Sequence, residues 1–234
     1  FAHFEENGTL PNVIRGEDVS NRDTSDAPLW FFVAVHDYIQ ETGNNEILEM
    51  DCGGRTILDV LKSILIHYRD GTPNGIYMDH ESGLIFSPSH FTWMDTNYPA
   101  GTPREGYPIE IQALWAAALR MVAEYDPEHG WGELHGKVLD SIEKYYVLPD
   151  RDYLSDCLHA APGQSAAQAV ADDACRPNQL FAITLGALRK RSIQVKMLRA
   201  CSCLLVPGAI RSLADAPVKY PQPVTYNGRL LNDP

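Results

Sequence analysis

The chain has 234 residues, and 19 basic against 31 acidic side chains leave a formal net charge of −12. An apolar share of 44% is ample for a packed core and excludes disorder as a global description. The acidity argues against a dedicated nucleic-acid or anionic-membrane binder, because phosphate affinity comes from clustered Lys and Arg.

A neutral, polyhydroxylated substrate is compatible with this charge. The length suits one domain or a large piece of one, and residues 1–234 are read as part of a single domain. No apolar run reaches the roughly 18 residues of a membrane-spanning helix. The opening Phe1-Ala2-His3-Phe4-Glu5-Glu6 lacks the basic-then-apolar order of a signal peptide. Cys52, Cys157, Cys175, Cys201 and Cys203 form an odd, scattered set. That predicts free thiols in a reducing, cytoplasmic setting rather than a disulfide framework. Cys201-x-Cys203 has the form of half a metal site, but no second pair or His cluster accompanies it. Buried structural thiols, rather than a metal site, are the expectation.

In chain order, the first twenty residues read as an extended entry punctuated by Gly8, Pro11 and Gly16. A helix follows from Ala27 to Gln40, capped by Ser25 or Asp26, with Pro28 in its first turn. Trp30 to Val35 make it apolar nearly all round, which predicts burial on most sides. A second helix, Arg55 to Tyr68, is amphipathic, with Ile57, Leu58, Leu61, Ile64 and Leu65 on one face. Glycines and prolines from Asp70 to Gly106 predict loops and short strands. Irregular segments of that length inside a compact domain are usually functional. A third helix runs from Pro108 to Tyr125 and a fourth from Glu133 to Val147. Tyr153 to Leu158 reads as a strand, and Ala166 to Asp173 as a weak helix or loop. A fifth long helix is expected from Pro177 to Leu205, followed by an irregular tail from Pro217 to Pro234.

Three helix starts share one layout. Asp23-Thr24-Ser25-Asp26-Ala27-Pro28-Leu29-Trp30, Thr102-Pro103-Arg104-Glu105-Gly106-Tyr107-Pro108-Ile109-Glu110 and Cys175-Arg176-Pro177-Asn178-Gln179 each place charged or amide groups around a proline that opens an apolar helix. Each is either an ordinary capped start or part of a shared polar mouth over an apolar floor. Between them lies Thr92-Trp93-Met94-Asp95, an indole beside a carboxylate on a long loop. An indole stacks on a pyranose face, and an acid beside it reaches a glycosidic oxygen. Glycoside hydrolysis needs one protonated and one ionised carboxyl, about 6.5–9.5 Å apart when the reaction inverts. Asp95, desolvated by Trp93, suits the acid. Glu110 suits either a base or a hydroxyl ligand. Arg104 and Arg176, if unpaired with acids, suit sugar-hydroxyl donors. Asp172 and Asp173 precede Arg176, and one is expected to pair with it and one to be a pocket residue. Seven basic residues between Cys175 and Ala214, with no acid before Ala214, read as a solvated face.

These motifs, in this order, together with Tyr226 to Pro234, resemble the C-terminal domain of glycogen debranching enzymes, the amylo-α-1,6-glucosidase family. The resemblance implies a mostly all-α fold with long loops and short strands, a six-hairpin (α/α) toroid of the glucoamylase type. It implies hydrolysis, with inversion, of the α-1,6-linked glucose at a glycogen branch point, on glycogen or a branched α-glucan and without cofactor. Asp95 then matches the general acid. Asp26, Trp30, Trp93, Arg104, Glu110, Arg176 and Gln179 match positions lining the glucose pocket. A Tyr-His-x-Gly segment associated with the second carboxylate is missing, so the chain reads as a central part of the toroid, inactive alone if the base lies outside it. Two other readings stand beside this one: a related toroid hydrolase of another small α-glycoside, and a non-catalytic carbohydrate-binding fragment.

Overall fold

The computed structural model describes residues 1–95, 102–218, 225–226 and 229–230. Its body is helical: α1 (Ala27–Thr42), α2 (Ile57–Asp70), α3 (Ile109–Tyr125), α4 (Trp131–Tyr145), α5 (Leu180–Thr184) and α6 (Arg191–Cys201). Short strands fasten the loops. β1 (Tyr77–Met78) pairs with β2 (Ile85–Phe86), and β3 (Gly106–Pro108), β4 (Cys157–His159) and β5 (Val170–Ala171) form an antiparallel sheet in that order. β6 (Leu205–Val206) pairs with β7 (Ala209–Ile210), and β8 (Thr225–Tyr226) with β9 (Arg229–Leu230). The fold is therefore mixed, a helical body with short strands of two or three residues between its helices.

The core is built on α3. Every residue from Ile109 to Leu119 is buried, because Ala113, Ala116, Ala117 and Ala118 let neighbouring helices close in on all sides. α1, α2, α4 and α5 all pack against it. Gln112 lies inside this packing and acts as a surrogate strand. Its Oε1 accepts from the Ile85 amide (2.8 Å) and its Nε2 donates to the Ile85 carbonyl (2.9 Å). The buried Trp115 indole donates to Gly83 O (3.1 Å) and stacks on Tyr68 of α2. α2 opens on a capping box in which Thr56 Oγ1 accepts from Asp59 N (3.1 Å) and Asp59 Oδ2 accepts from Thr56 N (3.0 Å).

Several boundaries depart from the sequence reading. α1 is less buried than its composition predicts, since Trp30, Ala34 and Tyr38 form an exposed stripe along one side. Its first turn is capped by neither Ser25 nor Asp26; Thr24 Oγ1 accepts from Ala27 N instead (3.2 Å). α4 begins at Trp131, ahead of Glu133, because Gly130 adopts a left-handed cap (φ 74°) and the Trp131 indole anchors on Asp126 Oδ2 (3.0 Å). The long helix expected from Pro177 to Leu205 is broken into a 3-10 turn (Pro177–Gln179), α5, α6 and a further 3-10 turn (Ser202–Leu204). Gly186 turns left-handed (φ 74°), and Arg120 Nη1 caps the freed Leu185 carbonyl (3.1 Å). The strand expected at Tyr153 to Leu158 starts later, as β4, and Ala166 to Asp173 divides into a 3-10 turn and β5. The tail, expected to be irregular, carries the β8–β9 pair; its residues 219–224, 227–228 and 231–234 lie outside the described residues, as do residues 96–101 of the long loop.

Gly106 joins the loops to the core. It pairs with His159 in β4 and exchanges both backbone bonds with Ser87 (2.7 and 3.1 Å) at φ 125°. A Cβ there would collide with the Leu158 carbonyl oxygen and come within 2.7 Å of Ala160 N. Gly106→Ala should destabilise the fold by at least about 2 kcal/mol in urea denaturation, through strain and a broken ladder together.

Candidate active site

A buried guanidinium organises the site. Arg104 is fully buried, and each of its N–H donors meets an oxygen. Nε donates to Asp156 Oδ2 (2.8 Å). Nη1 donates to Thr92 Oγ1 (3.2 Å) and to Glu110 Oε1, and Nη2 to Glu110 Oε2 (2.6 Å) and the Asp156 carbonyl (3.1 Å). Arg104 itself takes a left-handed backbone (φ 48°), which folds its side chain back toward the first turn of α3. Burial works against its charge, but Asp156 and Glu110 outweigh that and hold it protonated well above its ordinary value. Burial pushes the Glu110 carboxyl up, against the opposing pull of Arg104.

Asp156 extends the network. Its Oδ1 accepts from Asn178 Nδ2 (2.9 Å), and its Oδ2 faces Arg176 Nε at 3.5 Å. Asn178 Oδ1 in turn accepts from the Trp93 indole (3.0 Å), and Asn178 Nδ2 lies 3.5 Å from Met94 Sδ. Thr92, Trp93 and Met94 are thus each fastened to the buried network. The next residue, Asp95, is exposed.

α1 delivers its start to the same end. Ser25 N donates to the Phe91 carbonyl (2.6 Å), Ser25 Oγ meets Ser87 Oγ (2.8 Å), and the Tyr68 hydroxyl donates to Ser25 O (3.0 Å). Thr24 Oγ1 donates to Asp26 Oδ1 (2.6 Å). Burial pushes the Asp26 carboxyl above its ordinary range; the Thr24 bond opposes this, and the charge of neighbouring Asp95 adds to it. His90, also left-handed (φ 64°), feels the same Asp95 charge, while burial pushes its imidazole down. Two exposed indoles complete the face: Trp93, 51% exposed, and Trp30, which meets Phe181 edge-on at 5.4 Å.

The residues expected from the sequence therefore separate into two sets. Trp30, Trp93 and Asp95 are exposed, and Asp26 is half-buried. Arg104, Glu110 and Gln179 are buried, and Arg176 nearly so. Both Glu110 oxygens are held by Arg104, so the carboxylate expected as base or hydroxyl ligand faces inward. The arginines expected as free sugar donors are paired with acids instead. Arg176 Nη1 also donates to Ser212 O (3.2 Å). Gln179 binds only the main chain here, accepting from Leu154 N and donating to Arg176 O (2.9 Å each). Asp172 pairs with His159 (3.0 Å) and Asp173 with Arg151 (2.7 Å), while Arg176 faces Asp156. Burial acts on the Asp26 carboxyl, and Asp95 is exposed. Asp156 escapes the sequence reading, and Asn178 stands in a quoted motif without a role assigned to it. The signal for Asp156 was an acid inside an apolar, strand-like run, where a buried carboxylate needs a cation. Among the described residues no group of three His, Cys, Asp or Glu is placed to hold a metal ion, and no helix is long and apolar enough to cross a membrane.

The family model for amylo-α-1,6-glucosidase matches residues 1–233. The chain belongs to that family. Among solved structures, a GH78-family rhamnosidase from Bacillus sp. GL1 has a similar fold, with a TM-score of 0.53 at 18% identity over 74% of this chain. The chain spans 17% of that rhamnosidase's length. No curated protein matches the chain.

Two predictions follow from the geometry. Arg104→Met leaves Glu110 and Asp156 buried without their cation and should cost about 3–5 kcal/mol in chemical denaturation. The Asp26 carboxyl titrates above its unfolded value of 3.8, so the unfolded chain releases this proton first as pH rises. The stability tied to this proton is therefore full below that value and falls as pH climbs through the folded one. Asp26→Asn should remove this fall, and the thermal midpoint of the variant relative to wild type should rise between about pH 3.5 and pH 7.

Proposed function

We propose that the protein hydrolyses the α-1,6-linked glucosyl unit at branch points of glycogen or a related α-glucan, with inversion. The observation that carries this reading is an exposed Asp95 on a loop whose three preceding residues are each fastened to a buried ionic network, beside Asp26 and two exposed indoles. In this reading Trp93 stacks on the glucosyl ring, Asp26 and Trp30 bound the pocket, and the Asp95 carboxyl gives its proton to the glycosidic oxygen. The bound ring supplies the desolvation that Asp95 lacks when exposed. Glu110, Arg104, Arg176 and Gln179 act as positioning residues. The water-activating carboxylate is then one that Arg104 does not hold. The helices are read as part of an (α/α) toroid: α1, α3 and α5 touch one another, while α2 and α4 cover α3 through one amphipathic face each.

A second reading is hydrolysis of another small glycoside on the same scaffold, which the fold similarity to a rhamnosidase favours. Glucose release from a branched limit dextrin, compared with release from trehalose or a glucosylated small molecule, separates the two. In the intact protein, Asp95→Asn should lower glucose release from limit dextrin by at least about 100-fold without loss of fold. Debranching at a near-normal rate would remove Asp95 from the role of acid.

A further inference from the structure

Both exposed indoles rest on one short stretch of chain. Trp93, on the loop before Asp95, donates its indole N–H to Asn178 Oδ1 (3.0 Å). Trp30, near the start of α1, meets the Phe181 ring edge-on at 5.4 Å. Asn178 lies in the Pro177–Gln179 turn, and Phe181 in α5, which continues that turn directly. Residues three apart on a helical path are surface neighbours, so the two indoles share a mount. Asn178 is only 2% exposed, and its amide is committed at both ends. Nδ2 donates to Asp156 Oδ1 (2.9 Å), and Asp156 Oδ2 accepts from Arg104 Nε (2.8 Å). An indole N–H only donates and a carboxylate only accepts, so a side chain bridging them must offer one group of each kind. An amide does this, and its two partners fix which way it faces.

We propose that Asn178 is a positioning residue for saccharide binding: it sets the angle of the Trp93 indole relative to Trp30, so that a glucosyl chain meets both rings already oriented. This rests on the reading of the open face as a sugar site, and adds to it a buried residue that the sugar does not touch. A half-exposed ring on a loop loses rotamer freedom when a sugar stacks on it. A bond that fixes the ring beforehand removes that cost from binding. The bond from Trp93 uses the indole edge and leaves the ring faces to the sugar. Thr92 Oγ1 stays bonded to Arg104 Nη1 (3.2 Å) whatever stands at position 178, so the loop keeps its anchor beside Asp95. Stacking on Trp93 is the same before and during bond cleavage. Losing its orientation therefore raises KM and leaves kcat in place.

The test compares Trp93→Phe, Asn178→Ser and the double variant of the intact protein. Phenylalanine keeps an aromatic face but has no N–H to donate, and serine is too short to reach the indole. Each single variant should raise KM for branched limit dextrin by about three- to tenfold, the worth of one hydrogen bond. Turnover at saturation should stay within about twofold of wild type. The double variant should match the larger single effect, because one bond can be lost only once. Isothermal titration with maltotriose, which has no α-1,6 bond to cleave, should show the same weakening in Kd. That separates the two ideas: weakened maltotriose binding without glucose release from limit dextrin keeps the positioning role and sinks the debranching reading. Unchanged KM and Kd in Trp93→Phe would overturn the positioning role even if Asn178→Ser does not fold. So would effects that multiply in the double variant, or a fall in kcat at unchanged KM. A wild-type protein that binds no saccharide would overturn both.

Discussion

The buried Arg104 guanidinium is the constraint to which the rest of the site answers. A fixed positive charge in an apolar interior is tolerated only when every donor is met and the charge is balanced nearby. Glu110 and Asp156 supply the balance, and Thr92 and the Asp156 carbonyl complete the hydrogen bonding. These acceptors come from the start of α3, the edge of β4 and the loop before Asp95. One side chain therefore fixes three separate segments relative to one another. Lysine would not do this, because a compact ammonium offers fewer donors and no planar fork to match a carboxylate in two places.

The same constraint divides the polar residues by task. Groups that satisfy Arg104 are consumed by it: Glu110 has no free oxygen, and Asp156 is shared among Arg104, Arg176 and Asn178. What remains open lies one residue beyond the last anchor. Trp93 is anchored by its indole N–H on Asn178, yet half of its surface faces solvent. A ring held by its polar edge with its surface exposed is suited to stacking, because its orientation is fixed before anything binds.

The helices were legible from the sequence wherever apolar residues recur at helical spacing. α2 and α3 are nearly as read, and α1 is right in its start and length but not in its burial. Trp30, Ala34 and Tyr38 look like core residues by composition, and only tertiary packing shows that nothing among the described residues covers that side of α1. The break at Gly186 depended on Arg120 in α3 reaching the Leu185 carbonyl, a contact that local propensity does not encode. Residues of the quoted motifs are joined by hydrogen bonds, Thr92 and Glu110 to Arg104 and Trp93 to Asn178. Their roles were harder to read, because motif spacing does not say which arginine meets which acid. Asp156 decided that question, and it stood outside the recognised motifs.

The electrostatics of the open face place the desolvated carboxyl at Asp26 and leave its neighbour Asp95 in contact with water. A half-buried acid close to a second negative charge holds its proton longer, and the pair thereby avoids carrying two full charges. In the proposed reading, a sugar ring seated against Trp93 strips water from Asp95, and any hydroxyl that donates to Asp26 favours ionisation there. Within the proposed reading, binding transfers the desolvation from the residue that holds the sugar to the residue that protonates its leaving oxygen. The buried network beneath supports this exchange because Arg104 fixes the loop through Thr92 without lending its charge to either carboxyl at the surface.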